Sequence, residues 1–284
     1  MSELLRLAAF TLDPAGGNPA GVWLGETLPE PGEMARIAAD VGFSETAFLA
    51  PDGSGRAGAY RVRYYSPAAE VAFCGHATIA TGVALAERAG EGTFELTTND
   101  GVVPVDVRRG DDGRMRATLT SVPPRVRPAE PALLDDALAT LGWTPELLDP
   151  SLPPAVGYAG VSHLILATAV YETLRDMAYD YDRLRSIMLD ADLTTLQLIW
   201  RERPDHFRAR DPFPVGNVVE DPATGAAAAA LGAYLRWAGA LVPPASFTIA
   251  QGVEMRRPSH LEVHVPDAAP DGRIHVSGTA VSID

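Results

Sequence analysis

The chain has 284 residues and no lysine; all 23 of its basic residues are arginine. It has a single cysteine, Cys74. Each shortage excludes chemistry. A pyridoxal-phosphate enzyme needs a Schiff-base lysine, and a P-loop nucleotidase needs the lysine of its phosphate loop. A racemase with one thiol on each face of its substrate needs two cysteines, and an all-thiolate structural zinc site needs four. A disulfide within the chain is impossible. No stretch of about 18 apolar residues is present, so no membrane span is expected. Met1-Ser2-Glu3-Leu4-Leu5 shows no basic segment ahead of an apolar one, so no secretory signal is read and a cytoplasmic location is expected. Positive charge is also scarce: the formal net charge is -14. Such a chain repels phosphate backbones, which argues against a nucleic-acid partner.

What is present describes an ordinary globular protein, 46% hydrophobic and 21% charged, with room for one or two domains of about 100–200 residues each. Alternating or densely apolar segments predict strands at Leu5–Thr11, Ala47–Ala50, Tyr60–Tyr65, Gly92–Thr97, Val102–Arg108 and Arg114–Val122. Helices are predicted at Gly32–Val41 and Gly75–Arg88, stopped by Gly42 and Gly90. Four prolines between Val122 and Pro131 predict a linker. Helices at Ala132–Leu141, Tyr171–Met177, Asp182–Leu189 and Gly225–Trp237 are expected beyond it. Strands are expected at His163–Thr168, Thr195–Trp200, His206–Arg210, Ser246–Ala250 and Leu261–Val265, with a last one near Ile274–Ile283.

The two halves repeat each other. Cys74-Gly75-His76-Ala77-Thr78 opens an apolar helix carrying Gly82 and Leu85; Thr224-Gly225-Ala226-Ala227-Ala228 opens another carrying Gly232 and Leu235, 150 residues later. An Arg-x-Arg strand and a proline-containing turn precede each (Arg61 and Arg63; Arg208 and Arg210), and a strand containing a phenylalanine follows each (Phe94; Phe247). The expected organisation is therefore α+β. The repeat predicts two pseudo-symmetric lobes, residues 1–122 and 123–284, and the terminal strand 274–284 is a candidate to complete the first. Two such helices can aim their N-termini at one inter-lobe cleft. Free backbone N–H groups and the helix dipole make each end an anion site, and Gly75 and Gly225 allow close backbone approach.

Three segments can carry chemistry. Glu45 lies between Phe43 and Phe48 where a helix gives way to a strand. Placed in an apolar cleft it is a general base; on a strand face it is a solvated carboxylate. His76 falls in the first turn of its helix, where the dipole favours the neutral ring, and a structural histidine is the plainer alternative. Cys74 just precedes that helix and is either an activated thiol or a small buried hydrophobe; Glu70 is an orienting carboxylate or a solvated turn residue. Asp221 precedes the second helix as a capping acid or as a cleft carboxylate opposite His76. No Gly-x-Ser-x-Gly elbow supports a serine hydrolase, and no His and Cys pairing fits a zinc spacing.

Asn18-Pro19-Ala20-Gly21, Ser44-Glu45-Thr46-Ala47-Phe48, Phe73-Cys74-Gly75-His76-Ala77-Thr78, Glu220-Asp221-Pro222-Ala223-Thr224-Gly225 and Gln251-Gly252-x-Glu254-Met255-x-Arg257-Pro258-Ser259 occur in this order. Together they resemble the PhzF family of phenazine-biosynthesis isomerases, from about residue 8 to the C-terminus. The resemblance implies a diaminopimelate-epimerase-like fold, in which each lobe is a curled, mostly antiparallel sheet around a central helix, and a cofactor-independent isomerase with no metal. It implies Glu45 as the proton-transfer residue, with His76 and Asp221 binding and polarising a small carboxylate substrate. Asn18, Cys74, Gly75, Gly225 and Ala226 become the candidate substrate-binding positions, and a homodimer is expected. Three positions depart from the family pattern. Ala226 stands where the phenazine enzyme has a serine hydroxyl, Arg256 where glycine is frequent, and Ser277-Gly278 where a Gly-Gly pair is frequent. Two alternatives accompany this reading: a proline-racemase-like dehydratase or racemase using Cys74 as its one thiol, and a non-catalytic small-molecule binder on the same fold.

Overall fold

A computed structural model describes residues 2–99, 101–267 and 271–283. Chain contacts divide it into two compact units, Met1–Thr120 with Ser277–Asp284, and Ser121–Val276.

In the first unit, strand Asn18–Leu24 pairs antiparallel with Glu3–Ala9 and parallel with Glu45–Pro51. Strand Ala59–Tyr65 then pairs antiparallel with Glu45–Pro51 and with the short strand Glu70–Val71, and parallel with Gly92–Thr97. Val102–Arg109 and Met115–Thr120 continue the sheet antiparallel. Ala280–Ser282 joins Glu3–Ala9. Helix Gly75–Ala89 touches strands from both ends of this succession, so the sheet curls around it. The helix is accordingly buried from His76 through Ala86. It is Ala- and Gly-rich because a helix enclosed by a sheet leaves little space for side chains. A Cβ on Gly82 would lie 2.7 Å from Val105 Cγ1 and 3.0 Å from Ala117 Cβ.

The second unit repeats this plan strand for strand. Ser162–Thr168 pairs antiparallel with Ala155–Tyr158 and parallel with Thr195–Arg203. His206–Pro212 pairs antiparallel with Thr195–Arg203 and with the short strand Glu220–Asp221, and parallel with Ala245–Gln251. Ser259–Val265 follows antiparallel. Helix Gly225–Trp237 occupies the centre, and a Cβ on Gly232 would lie 2.9 Å from Ile274 Cγ2. Glu45 and Thr195 open equivalent strands 150 residues apart. The Arg-x-Arg strands also correspond in their interactions: Arg63 pairs with Glu70, and Arg210 pairs with Glu220 at 2.6 Å. A second apolar cluster, containing Leu164, Leu184, Met188 and Leu198, packs helices Pro131–Leu141 and Tyr181–Asp190 against the second sheet.

Some expectations need correction. The proline-rich linker contains a strand, Arg125–Pro128, paired with Ala155–Tyr158. Among the described residues it has that one strand partner, and proline is tolerated at an edge because no ladder donor is required there. The strand Asn18–Leu24 was not expected, since Pro19 and Gly21 weaken its pattern. It is nevertheless internal: Pro19 stands at its second position, and Gly21 faces Thr46, whose Oγ1 would meet a Cβ at 2.6 Å. The expected strand near Ile274–Ile283 is two short strands, His275–Gly278 and Ala280–Ser282. No helix among the described residues is long and apolar enough to cross a membrane.

Candidate active site

Parallel pairing of Asn18–Leu24 with Glu45–Pro51 sets the starts of both strands on one edge of the first sheet, with Ala20 beside Glu45. The central helix of the same unit begins there. Cys74 is its N-cap residue in an extended conformation, and Thr78 N–H makes the first intrahelical bond to the Cys74 carbonyl at 3.0 Å. The N–H groups of Gly75, His76 and Ala77 thus precede that bond and have no intrahelical acceptor. Thr78 Oγ1 donates to the same carbonyl at 2.6 Å and meets the buried Tyr64 hydroxyl at 2.6 Å, which fixes the helix start against the sheet. Burial raises the Tyr64 phenol far above its ordinary range, so this hydroxyl stays protonated.

Four side chains meet His76 at this edge. Asn18 Nδ2 is 3.2 Å from Nδ1, Ser44 Oγ is 3.3 Å from Nε2, and Glu45 Oε2 is 3.5 Å from Nε2. Cys74 Sγ is 3.3 Å from Nδ1 and 3.5 Å from Glu45 Oε2. Asn18 is 1% exposed, His76 6% and Cys74 7%; the Glu45 side chain is 18% exposed. In the tautomer whose Nδ1 accepts from the Asn18 amide, Nε2 carries the ring proton and faces Ser44 and Glu45. Glu45 and His76 therefore lie in one cluster with Asn18, Ser44 and Cys74. Cys74 is both buried and polar-contacted.

Glu70 is not part of this cluster. Arg63 and Asn99 hold its carboxylate, with Arg63 Nε donating at 2.6 Å and Asn99 Nδ2 at 2.8 Å. The guanidinium keeps the carboxyl below its usual range. Its role is to tie the short strand to its neighbour, as Glu220 does in the second unit.

Asp221, Gly225 and Ala226 belong to the second unit. Asp221 Oδ2 accepts the Thr224 hydroxyl at 2.6 Å, while Gln251 Nε2 donates to the Asp221 carbonyl at 2.8 Å. The N-cap residue is Thr224, and Ala228 N–H bonds its carbonyl at 3.0 Å, so Gly225 and Ala226 open the helix. Asp221 is thereby a carboxylate oriented by a hydroxyl rather than the cap itself. Sequence reasoning passed over three residues. Ser44 and Gln251 lay inside recognised motifs but carried no role. Asp211 showed no signal at all; it is wholly buried beside Asp221 on the neighbouring strand.

Comparison with known proteins gives a consistent likeness. The family described as phenazine biosynthesis-like protein, PhzC-PhzF, matches residues 7–284. The chain is 32% identical to the uncharacterized isomerase YfhB of Bacillus subtilis, covering 99% of this chain and 96% of that protein. It is 28% identical to the trans-2,3-dihydro-3-hydroxyanthranilate isomerase of Pseudomonas fluorescens, with 99% and 97% covered. The Bacillus anthracis phenazine biosynthesis protein of the PhzF family superposes with a TM-score of 0.88 at 25% identity, covering 100% of this chain and 98% of that one.

Proposed function

The chain belongs to the phenazine biosynthesis-like PhzC-PhzF family and is an isomerase of that family, and we propose that it moves a proton within a small unsaturated or amino-acid-like carboxylate without a cofactor. Glu45 is the general acid and base. It removes a C–H proton next to a carbonyl or conjugated system and returns it to another carbon. The observation that carries this reading is the contact of Glu45 Oε2 with His76 Nε2 at 3.5 Å, beside a helix start. His76, its Nδ1 held by Asn18, donates from Nε2 to the charge that develops on the substrate. The N–H groups of Gly75 and Ala77 suit the substrate carboxylate. In the second unit, Asp221 with Gly225 and Ala226 is a substrate-binding group by the same resemblance. Ala226 contributes its backbone but no hydroxyl, which favours a substrate other than that of the phenazine enzyme.

Proton exchange tests the proposal. Candidate carboxylates incubated with the protein in heavy water are expected to take up deuterium at the migrating position. Glu45→Gln is expected to lose about 10²–10⁴ of the rate; a variant with undiminished exchange would sink the assignment. One observation sustains a second reading, in which Cys74 is the base: its sulfur lies 3.3 Å from His76 Nδ1. Exchange abolished by Cys74→Ser but retained by Glu45→Gln would favour it. The expected homodimer is checked by sedimentation of the purified protein.

A further inference from the structure

We propose that Asp211 is a positioning residue for Asp221: the two carboxyls form a cross-strand pair that holds one proton, and the proton sits on Asp211. The two residues stand directly opposite each other on the antiparallel strands His206–Pro212 and Glu220–Asp221. Residues paired in this way turn their side chains to one face of the sheet, with Cβ atoms about 4.5–5.5 Å apart. Asp211 is wholly buried, whereas Asp221 is partly exposed. Two charges so close, one of them out of water, repel each other strongly, and a proton on the buried member relieves most of that cost. The effect on activity rests on the reading of Asp221 as a substrate-binding group.

A count of hydrogens points the same way. Thr224 Oγ1 has one hydrogen and donates it to Asp221 Oδ2 at 2.6 Å. Gln251 Nε2 donates to the same Oγ1 at 3.1 Å and to the Asp221 carbonyl at 2.8 Å. The Thr224 hydroxyl also lies close enough to Asp211 to affect its carboxyl, but has no hydrogen left for it. Thr195, the other hydroxyl beside Asp211, is engaged with His163 Nδ1 at 2.8 Å. Among the described residues neither Asp211 oxygen has a partner at good hydrogen-bond geometry. An ionised Asp211 would compete with Asp221 for the Thr224 hydrogen. A protonated Asp211 is instead a donor, and Thr224 Oγ1 keeps a lone pair to receive it, which completes a chain from Asp211 through Thr224 to Asp221. Of the other titratable groups around Asp211, Glu220 is paired with Arg210 at 2.6 Å, and His163, reached through Thr195, is held neutral by burial, its pKa lowered to about 3.

The first unit contains the same arrangement. Tyr64 follows Arg63 and pairs with Val71, as Asp211 follows Arg210 and pairs with Asp221. Its buried phenol meets Thr78 Oγ1 at 2.6 Å, and because Thr78 gives its own hydrogen to the Cys74 carbonyl, the phenol is the donor. Each unit thus buries an acidic O–H against a threonine hydroxyl at the start of its central helix.

The test reads the proton and its effect separately. At neutral pH the infrared difference between the wild type and Asp211→Asn is expected to contain the carbonyl band of one protonated carboxyl. Absence of that band overturns the proposal, whatever the kinetics show. Asp211→Leu, which cannot donate, is expected to lower kcat/KM about tenfold, and Asp211→Asn, which donates through its amide, to recover most of that loss. In an Asp221→Asn background Asp211→Leu is expected to have no further effect, because a positioning residue acts only through its partner. Each comparison uses protein with unchanged far-ultraviolet circular dichroism. Equal losses in Asp211→Leu and Asp211→Asn overturn the positioning role, as does a tenfold loss that persists in the Asp221→Asn background. If Asp211→Leu does not fold, the infrared band and Asp211→Asn decide: an Asp211→Asn enzyme as impaired as Asp221→Asn overturns the role. Wild-type kcat/KM in Asp221→Asn removes the substrate-binding reading of Asp221, and with it the effect on activity, while the infrared band still decides where the proton lies.

Discussion

Asn18 and His76 are 58 residues apart in sequence, and the Asn18 amide lies 3.2 Å from His76 Nδ1. Both side chains are more than nine-tenths buried. The pair fixes the ring that faces Glu45. Asn18→Ala is expected to lower kcat/KM for the preferred substrate about 10–100-fold, as loss of a buried hydrogen bond worth about 1–3 kcal/mol. Asn18→Asp tests polarity at nearly constant shape. Steady-state kinetics on both variants checks this, and an Asn18→Ala enzyme with wild-type kcat/KM contradicts the positioning role.

The central helices are expected to reject a methyl group. At Gly82 an added Cβ meets Val105 and Ala117, and at Gly232 it meets Ile274, Val263 and Val265. Helix propensity alone favours alanine by about 1 kcal/mol. Overpacking costs about 1–3 kcal/mol and outweighs it. Gly82→Ala and Gly232→Ala should therefore each melt below the wild type in calorimetry, by several degrees. A rise in Tm for either shows that its sheet yields without strain.

Arg256 has a φ of 59°, in the left-handed region, within the turn that follows Gly252. An ordinary L-residue pays about 1–2 kcal/mol there. This explains why the resemblance leads one to expect glycine at the position. Arg256→Gly is expected to raise stability by up to about 1 kcal/mol, the relief being offset in part by the greater freedom of glycine in the unfolded chain. Denaturant unfolding measures it, and a destabilised variant shows that the Arg256 side chain contributes more than its backbone costs.

Asp211 is fully buried in the second unit, and among the described residues neither carboxylate oxygen has a hydrogen-bond partner of good geometry. Burial, and then the nearby charges of Asp221 and Glu220, push its carboxyl well above the ordinary range. The folded state therefore binds this proton more tightly than the unfolded chain. Its contribution is complete below the unfolded pKa and is lost as pH rises through the folded one. Buried His163 has the opposite sign: its pKa is lowered to about 3, so it costs stability as pH falls below the unfolded value. Asp211→Asn removes the first dependence and keeps the second. The difference in Tm, variant minus wild type, should grow between pH 5 and pH 8. A difference independent of pH shows that Asp211 titrates alike in both states.

Much of this protein could be read directly from its residues. Alternation and apolar runs located most strands, glycines marked the ends of the first two long helices, and the 150-residue repeat announced that two units share one plan. Those features are local, or are repeated locally, so they survive without a fold. Other features required chain segments to meet. The strand Asn18–Leu24 is held by neighbours on both sides despite its proline and glycine, and the strand Arg125–Pro128 by an edge where prolines are harmless. Local pattern left a functional and a solvated reading open for Glu70 as for Glu45. The fate of Glu70 was decided by Arg63 and Asn99, while that of Glu45 was decided by His76 and Cys74. The sequence by itself determined which chemistries are barred, through the missing lysines and the single cysteine, and which residue types remain. Only the tertiary structure decided which carboxylate faces the imidazole and the thiol, because that depends on parallel pairing of strands far apart in the chain, and no local pattern encodes a partner at such a distance.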